Sequence, residues 1–215
     1  MTFLLITVAA MLSFAEPVVV DRIAVSVATQ AITLSEVKEE VAVTAFMNGE
    51  KPDYSPGVLR RAVDRLVDQA LIRREIDLGR YAMPGPEVAS GMLAALQKQH
   101  GGRTGLDRAL ASYGLTRQEL QAHLAWQATL LQFIEMRFRP AVQVTSEDVQ
   151  KYFHQHYATR TESGRPIALD SMRAQIENEL TASRADEEME QWLKDTRKQT
   201  AIVVRDESVG KEIKP

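Results

Sequence analysis

The chain has 215 residues, of which 45% are hydrophobic and 26% are charged, and its formal net charge is -3 at pH 7. It contains no cysteine, which excludes disulfide bonds, thiolate catalysis and cysteine-ligated metal sites. The slightly negative charge, without any block of Lys and Arg, argues against nucleic acid or an anionic membrane surface as the partner.

The N-terminal segment is an uncharged apolar run, MTFLLITVAAMLSFA, which ends in small residues before Glu16-Pro17. This pattern predicts a signal peptide over residues 1–15 that is cleaved after Ala15. A signal peptide normally begins with a positively charged region, but no Lys or Arg precedes this run. The charge then comes either from the amino terminus alone or from residues of a start upstream of Met1. The run is shorter than the roughly 18–20 apolar residues that cross a bilayer, so we expect export without stable membrane insertion. The alternative is a buried N-terminal strand or helix.

The mature chain is predicted to begin with two strands and to continue mainly as helices. Alternating Val and Ile predict strands over 18–29 and 31–33. Caps, Pro at first helical positions and Gly at helix ends then predict the helices, with Ser35 as the first N-cap and capping boxes at Thr116 and Thr145. Their ranges are 35–47, 56–79, 86–99, 104–113, 116–139, 146–156 and 169–198. An apolar β segment over 201–205 follows.

The predicted fold class is mainly α, with six or seven helices and a small β-sheet that joins the N- and C-terminal segments. Short isolated strands are marginal in water, so the strands near the two chain ends are expected to pair with each other. Residues 16–215 then form one composite domain. Its parts are an N-terminal region over 18–157, a loop over 158–168, a C-terminal helix and strand over 169–205, and a polar tail over 206–215.

The residues that resemble catalytic or metal-binding patterns have simpler explanations. Ser35 and Lys38 fit Ser-x-x-Lys, but the other elements of penicillin-binding enzymes are missing and the position suits a helix cap. His154 and His156 are two residues apart, whereas a helical metal site prefers ligands four residues apart. His123 fits the edge of a packed face. We therefore expect no catalytic residue, no metal and no cofactor.

The long helix over 116–139 carries more apolar surface than one buried face requires. Leu120, Leu124, Leu131, Ile134 and Phe138 form one stripe, and a second stripe runs beside it. A helix that is apolar nearly all round is normally buried on all sides, or part of it lines a groove. Met side chains add adaptable surface. The candidate peptide-binding groove is Met47, Met92, Leu96, Trp126, Leu130, Phe133 and Met136; the alternative is that these residues are core.

Five segments in succession resemble the core module of the SurA-like periplasmic chaperones. The first three are similar to the opening strands and early helices of that family: DRIAVSVATQAITLSEV, LRRAVDRLVDQALIRREIDLGR and LDRALASYGLTRQELQAHL. VTSEDVQKYFHQH resembles the helix that precedes a parvulin domain in the family, and the sequence after Ala168 resembles its C-terminal helix and closing strand. Where a parvulin domain would lie, between Tyr157 and Leu169, only a short loop is present.

The resemblance implies an exported, ATP-independent periplasmic chaperone that holds unfolded or extended polypeptides, such as outer-membrane or secreted clients. The missing parvulin domain argues against an enzyme, although a prolyl-isomerase-related protein is one alternative. The other alternative is a dedicated interaction subunit with one specific partner. The oligomeric state is left open.

Overall fold

The computed structural model describes residues 21–157, 161–162 and 165–210. It confirms a mainly helical fold with a small antiparallel sheet. The strands are β1 Ile23–Val27, β2 Gln30–Thr33, β3 Thr161–Glu162, β4 Arg165–Pro166 and β5 Ile202–Val204. The helices are α1 Leu34–Asn48, α2 Pro56–Gly79, α3 Pro86–Gln99, α4 Arg103–Ala111, α5 Arg117–Arg137, α6 Ser146–His156 and α7 Leu169–Gln199.

The three-stranded sheet joins the two ends of the described chain, with strand order β2-β1-β5. Both neighbours of β1 are antiparallel, and Ser26 lies opposite Val203 of β5. Backbone hydrogen bonds extend this pairing, since Ala28 N–H donates to the Ala201 carbonyl at 2.8 Å. The predicted pairing of the terminal strands is therefore present. β3 and β4 form a separate two-residue hairpin.

Side-chain caps determine where three of the helices begin. The Thr33 hydroxyl accepts a hydrogen bond from Glu36 N–H, and the Glu36 carboxylate accepts one from Thr33 N–H. The expectation that Ser35 caps α1 is wrong by two residues, because the Thr-x-x-Glu spacing closes a capping box on Thr33. The predicted capping boxes at Thr116 and Thr145 are confirmed.

The helix ends depart from the predictions by no more than two residues. α5 ends at Arg137, and a 3-10 turn over Arg139–Ala141 follows, because Pro140 has no backbone N–H with which to continue the hydrogen bonds of an α-helix. α4 ends at Ala111, and the chain then turns through Gly114 at φ +71°. Glycine adopts that left-handed conformation without strain.

Three clusters of buried side chains hold the helices together. The largest lies between the three-stranded sheet, α1, α2, the second half of α5 and the second half of α7. The second lies between the end of α1, α3, α4 and the first half of α5. The third joins α6 to the first half of α7 through Val149, Phe153 and Ile176. α5 thus contributes to two clusters, and α7 links the third cluster to the largest.

The second half of α7 packs on α2 and α5. The Arg197 guanidinium donates to Asp68 Oδ1 at 2.7 Å and to the Asp64 carbonyl at 2.9 Å. The Trp192 ring lies 5.8 Å from that of Phe133 and 5.9 Å from that of Phe138, measured between centroids. The ion pair fixes α7 against α2, and the aromatic rings fill the space between α7 and α5.

The first residues of the predicted polar tail over 206–215 pack partly into the core. Val209 is fully buried in the largest cluster, and its carbonyl accepts a hydrogen bond from Arg60 of α2. Asp206 accepts from Ser208 N–H at 2.9 Å and forms an ion pair with Arg22 at 3.2 Å. A single Val in a polar stretch has no periodicity that would reveal its burial.

Some of the predictions lie outside the described residues. These are the signal peptide over 1–15 with its cleavage after Ala15, the first residues of the predicted strand over 18–29, part of the loop over 158–168, and residues 211–215.

Candidate functional site

The structure places the α5 residues of the candidate groove largely in the core. Phe133 is fully buried and Trp126 is 7% exposed, both within the largest cluster, and Leu130 is half-buried against it. Met136 alone of these four is exposed. Leu131, which the sequence assigned to an apolar stripe, is 65% exposed. The α5 face around Phe133 is therefore covered by other parts of the chain, among them Trp192 of α7 and Tyr81, and is closed to a client in this conformation.

The remaining groove residues lie elsewhere. Met92 and Leu96 of α3 are half-buried against the second cluster, while Met47 near the end of α1 is exposed. Met92 and Leu96 belong to a different cluster from Phe133, and Met47 packs into neither, so the structure does not bring the seven predicted residues together into one groove.

A different surface has the form of a binding site: a furrow along α2. Nine α2 residues line it, and seven of them, all but Leu71 and Glu75, lie at helical spacing, in positions i, i+3, i+4, i+7, i+8, i+11 and i+12. A helix presents residues at this spacing on one face. These residues are Leu66, Gln69, Ala70, Arg73, Arg74, Asp77 and Leu78.

The furrow consists of four cavities in a row, each of which shares lining residues with the next. Their volumes are about 210, 290, 390 and 270 Å³, in order from α1 towards α7. Leu66 and Gln69 line the first and second cavities, Ala70 lines the second and third, and Leu78 lines the third and fourth. We call this continuous surface the α2 furrow.

The walls of the α2 furrow come from both ends of the chain. α1 and α5 form the walls of the first cavity, and the β1–β2 hairpin forms the walls of the second and third. α7 lines the fourth cavity through Trp192, Thr196 and Gln199. The closure of the fold by α7 therefore completes the furrow.

The length of the α2 furrow matches a short extended peptide. From Leu66 to Leu78 the helix rises by about 18 Å at 1.5 Å per residue. An extended chain at about 3.3 Å per residue covers this distance with five or six residues. Of its apolar lining residues, Leu78 at the α7 end is 71% exposed, whereas Ala70 and Leu71 are buried.

The α1 end of the α2 furrow is acidic. Glu36, Glu39 and Glu40 of α1 line it. Glu40 is paired with Arg65, whose Nε lies 2.7 Å from Oε1, and Glu36 closes the α1 capping box. Glu39 forms no hydrogen bond or ion pair with any described residue. Burial, followed by repulsion from neighbouring carboxylates, raises the pKa of Glu39 above its ordinary value of 4.5.

Two arginines dominate the centre and the α7 end of the furrow. The Arg73 guanidinium carbon lies 4.4 Å from the ring centroid of Trp126, a cation–π contact, and burial lowers the pKa of Arg73. Arg74, one residue further on, lines the third and fourth cavities. It has no hydrogen bond or ion pair with another residue in the described part of the chain. The α2 furrow thus has an unpaired carboxylate near one end and an unpaired guanidinium near the other.

His123 lies at the edge of a packed face, between the acidic end of the furrow and the core. Its Nδ1 is 4.0 Å from Glu40 Oε2, and its Nε2 is 3.0 Å from the side-chain amide of Gln127. Burial lowers the pKa of His123 below 6.5, attraction to Glu40 opposes this shift, and repulsion from Arg65 adds to it.

This lowered pKa predicts a pH dependence of stability. Below pH 6.5 the unfolded chain binds a proton at His123 more readily than the folded chain does, so the free energy of unfolding falls as the pH decreases through that window. We expect His123→Gln to flatten the decline between pH 7.5 and 5.5, as measured by urea unfolding. Exposed His154, replaced in the same way, serves as the control. Equal slopes for the wild type and His123→Gln would contradict the assignment.

Sequence reasoning missed the α2 furrow because most of its stripe is polar. The α2 positions were judged by apolar periodicity, which identifies the buried side of a helix. One sequence feature could have indicated the furrow. Leu78 is an apolar residue that lies outside the apolar positions on the buried side of α2.

The described residues include no group of three or more His, Asp or Glu side chains placed to hold a metal ion. None of the helices in that part of the chain is long and apolar enough to cross a bilayer. In comparisons with known proteins, no family model matches the chain, and no curated protein matches it.

Proposed function

We propose that the protein is an ATP-independent chaperone that holds short extended segments of unfolded polypeptides in the α2 furrow. The observation that carries the proposal is the continuity of the four cavities along one face of α2. A continuous furrow of about 18 Å fits an extended chain better than a compact ligand. The proposed activity needs no catalytic group, no metal and no cofactor.

The charge and polarity of the furrow favour weak, tolerant binding. A client side chain that packs on exposed Leu78 gains about 25 cal/mol for each Å² of apolar area buried. Arg74, Gln30 and Gln69 line the furrow with long side chains that offer hydrogen-bond donors to different sequences. Release of the client then needs no energy source, because a client that folds buries its own apolar segments, which are then no longer available to the furrow.

Two sequence features support an exported location for this activity. The segments quoted above resemble the SurA-like chaperone core in family order, and the N-terminal run resembles a cleaved signal peptide. We therefore propose the periplasm as the compartment, and unfolded outer-membrane or secreted proteins as the clients.

Leu78→Asp tests the proposal directly. Leu78 is 71% exposed, so the substitution should leave the fold intact while it places a charge in the furrow. We expect the variant to bind a denatured client about tenfold more weakly, as if roughly 1.5 kcal/mol of apolar burial were lost. Suppression of client aggregation, followed by light scattering, provides the measurement.

Leu131→Asp is the matched control, because Leu131 is a similarly exposed leucine on a helix and lines none of the four cavities. It should protect the client as well as the wild type does. Equal loss in both variants would indicate that general surface apolarity is responsible. If the wild type fails to suppress aggregation and a pulldown instead recovers one stoichiometric protein, the chain is a dedicated interaction subunit and the chaperone proposal is wrong.

A further inference from the structure

The two unpaired charges of the α2 furrow lie towards opposite ends of it. Glu39 lines the cavity nearest α1, and Arg74 lines the two cavities nearest α7. The other charges that line the furrow are largely satisfied within the protein. Glu40 pairs with Arg65, and Glu75 of the fourth cavity lies 3.5 Å from Arg137.

The environment of Glu39 favours a cation from outside the protein. Three carboxylates, those of Glu119, Glu36 and Glu40, raise its pKa in addition to burial. The nearby imidazole of His123 does not compensate, since its own pKa is lowered and it is mainly neutral at pH 7.5. A Lys or Arg side chain bound here would relieve the repulsion among the carboxylates.

The environment of Arg74 favours an anion. Asp77, its neighbour in the third cavity, interacts with Arg73 instead. Leu78 lies one helical turn beyond Arg74, at i+4, so the two side chains lie on the same face of α2. A ligand carboxylate on Arg74 would then have apolar surface beside it for the adjoining part of the peptide.

We propose that the α2 furrow selects extended peptides by charge order, with a Lys or Arg side chain at Glu39 and a carboxylate at Arg74. The carboxylate comes either from an Asp or Glu side chain or from the C-terminus of the client. This selection rests on the proposed peptide binding in the furrow and adds the chemical class of its preferred ligand.

A set of four acetylated and amidated hexapeptides tests the charge order by calorimetric titration at pH 7.5. The first is Lys-Val-Ala-Val-Ala-Asp, and the others replace Lys, Asp or both with Gln. We expect the peptide with both charges to bind roughly ten- to twentyfold more tightly than the neutral one, with each charge contributing roughly three- to fivefold. A fifth peptide, Lys-Val-Ala-Val-Ala-Ala with a free C-terminus, distinguishes a terminal carboxylate from a side-chain one.

Two variants connect each charge to its residue. Glu39→Gln should remove the advantage of Lys and leave that of Asp, and Arg74→Gln should do the reverse, as in a double-mutant cycle. Glu177→Gln and Arg108→Gln are the controls, at exposed sites that do not line the furrow. They change the net charge of the protein by the same amount as Glu39→Gln and Arg74→Gln, respectively. The tighter binding that Lys and Asp each give to the peptide should persist in both controls. Loss of the Lys advantage in Glu177→Gln as well would show that only the net charge of the protein matters, and would overturn the inference.

The inference and the proposed function fail in different ways. If all the hexapeptides bind with equal affinity, the furrow binds peptides but does not read their charge order, and the inference is wrong. If no hexapeptide binds, the proposed peptide binding in the furrow is wrong as well.

Discussion

Truncation after Tyr157 is expected to abolish cooperative folding of the remaining chain. The truncation removes β5 from the sheet, together with apolar side chains of α7 and the C-terminal segment that pack in the largest cluster. A fully buried Val or Leu side chain, such as Val209 or Leu193, contributes about 1.5–3 kcal/mol, and a typical domain has only about 5–15 kcal/mol in total. The lost side chains are Ala185, Met189, Trp192, Leu193, Ile202, Val204 and Val209.

The experiment compares thermal unfolding of three proteins by circular dichroism: the full chain, the chain ending at Tyr157 and the chain ending at Thr200. The chain ending at Thr200 keeps α7 and Arg197, so we expect it to unfold cooperatively at a temperature below that of the full chain. If the chain ending at Tyr157 melted in one sharp transition at the full-length temperature, residues 16–215 would not form a composite domain.

Phe133→Ala is expected to destabilise the protein by about 3–5 kcal/mol. Phe133 is fully buried, and its ring makes edge contacts with Tyr81, Phe138 and Trp192. The substitution leaves a cavity where α5 meets α7, which the neighbouring rings fill only in part. Urea unfolding gives the free energy, and the melting temperature should fall by roughly 10 °C.

Leu131→Ala on the same helix is the control, since Leu131 is largely exposed and its loss should change the free energy of unfolding by less than about 0.5 kcal/mol. The pair also tests the predicted groove on α5. If Phe133→Ala left stability unchanged and weakened client binding, Phe133 would be a ligand contact, as the sequence suggested, and the burial found in the structure would be wrong.

The secondary structure was largely predictable because its signals are local. The capping boxes at Thr116 and Thr145, and Pro56 and Pro86 at the starts of α2 and α3, each act within one helical turn. The misplaced cap of α1 has a local cause too, since two hydroxyl residues, Thr33 and Ser35, compete within three positions. The residue three positions later decides between them, because a capping box needs a Glu or Gln there: Glu36 follows Thr33 at that spacing, whereas Lys38 follows Ser35.

The candidate site was not predictable by the same means. Trp126 and Phe133 are aromatic residues of the kind found both in peptide grooves and in protein cores. Which of the two they form depends on whether another element of the fold covers them. α7 covers the Phe133 region, and its approach depends on the Arg197 contacts with Asp64 and Asp68 across more than a hundred residues of sequence. Single-helix periodicity contains no information about such a contact.

The sequence by itself determined the helical class of the protein, the places where its helices begin, and the pairing of its terminal strands. These follow from caps, backbone preferences and the instability of short strands left alone, which act within a few residues or concern a single segment. The tertiary structure alone decided which apolar face is core and which polar face of α2 becomes the furrow. The β1–β2 hairpin with α1, α5 and α7 come from three separate parts of the sequence, and they had to meet along α2 before Glu39 and Arg74 could line one continuous surface.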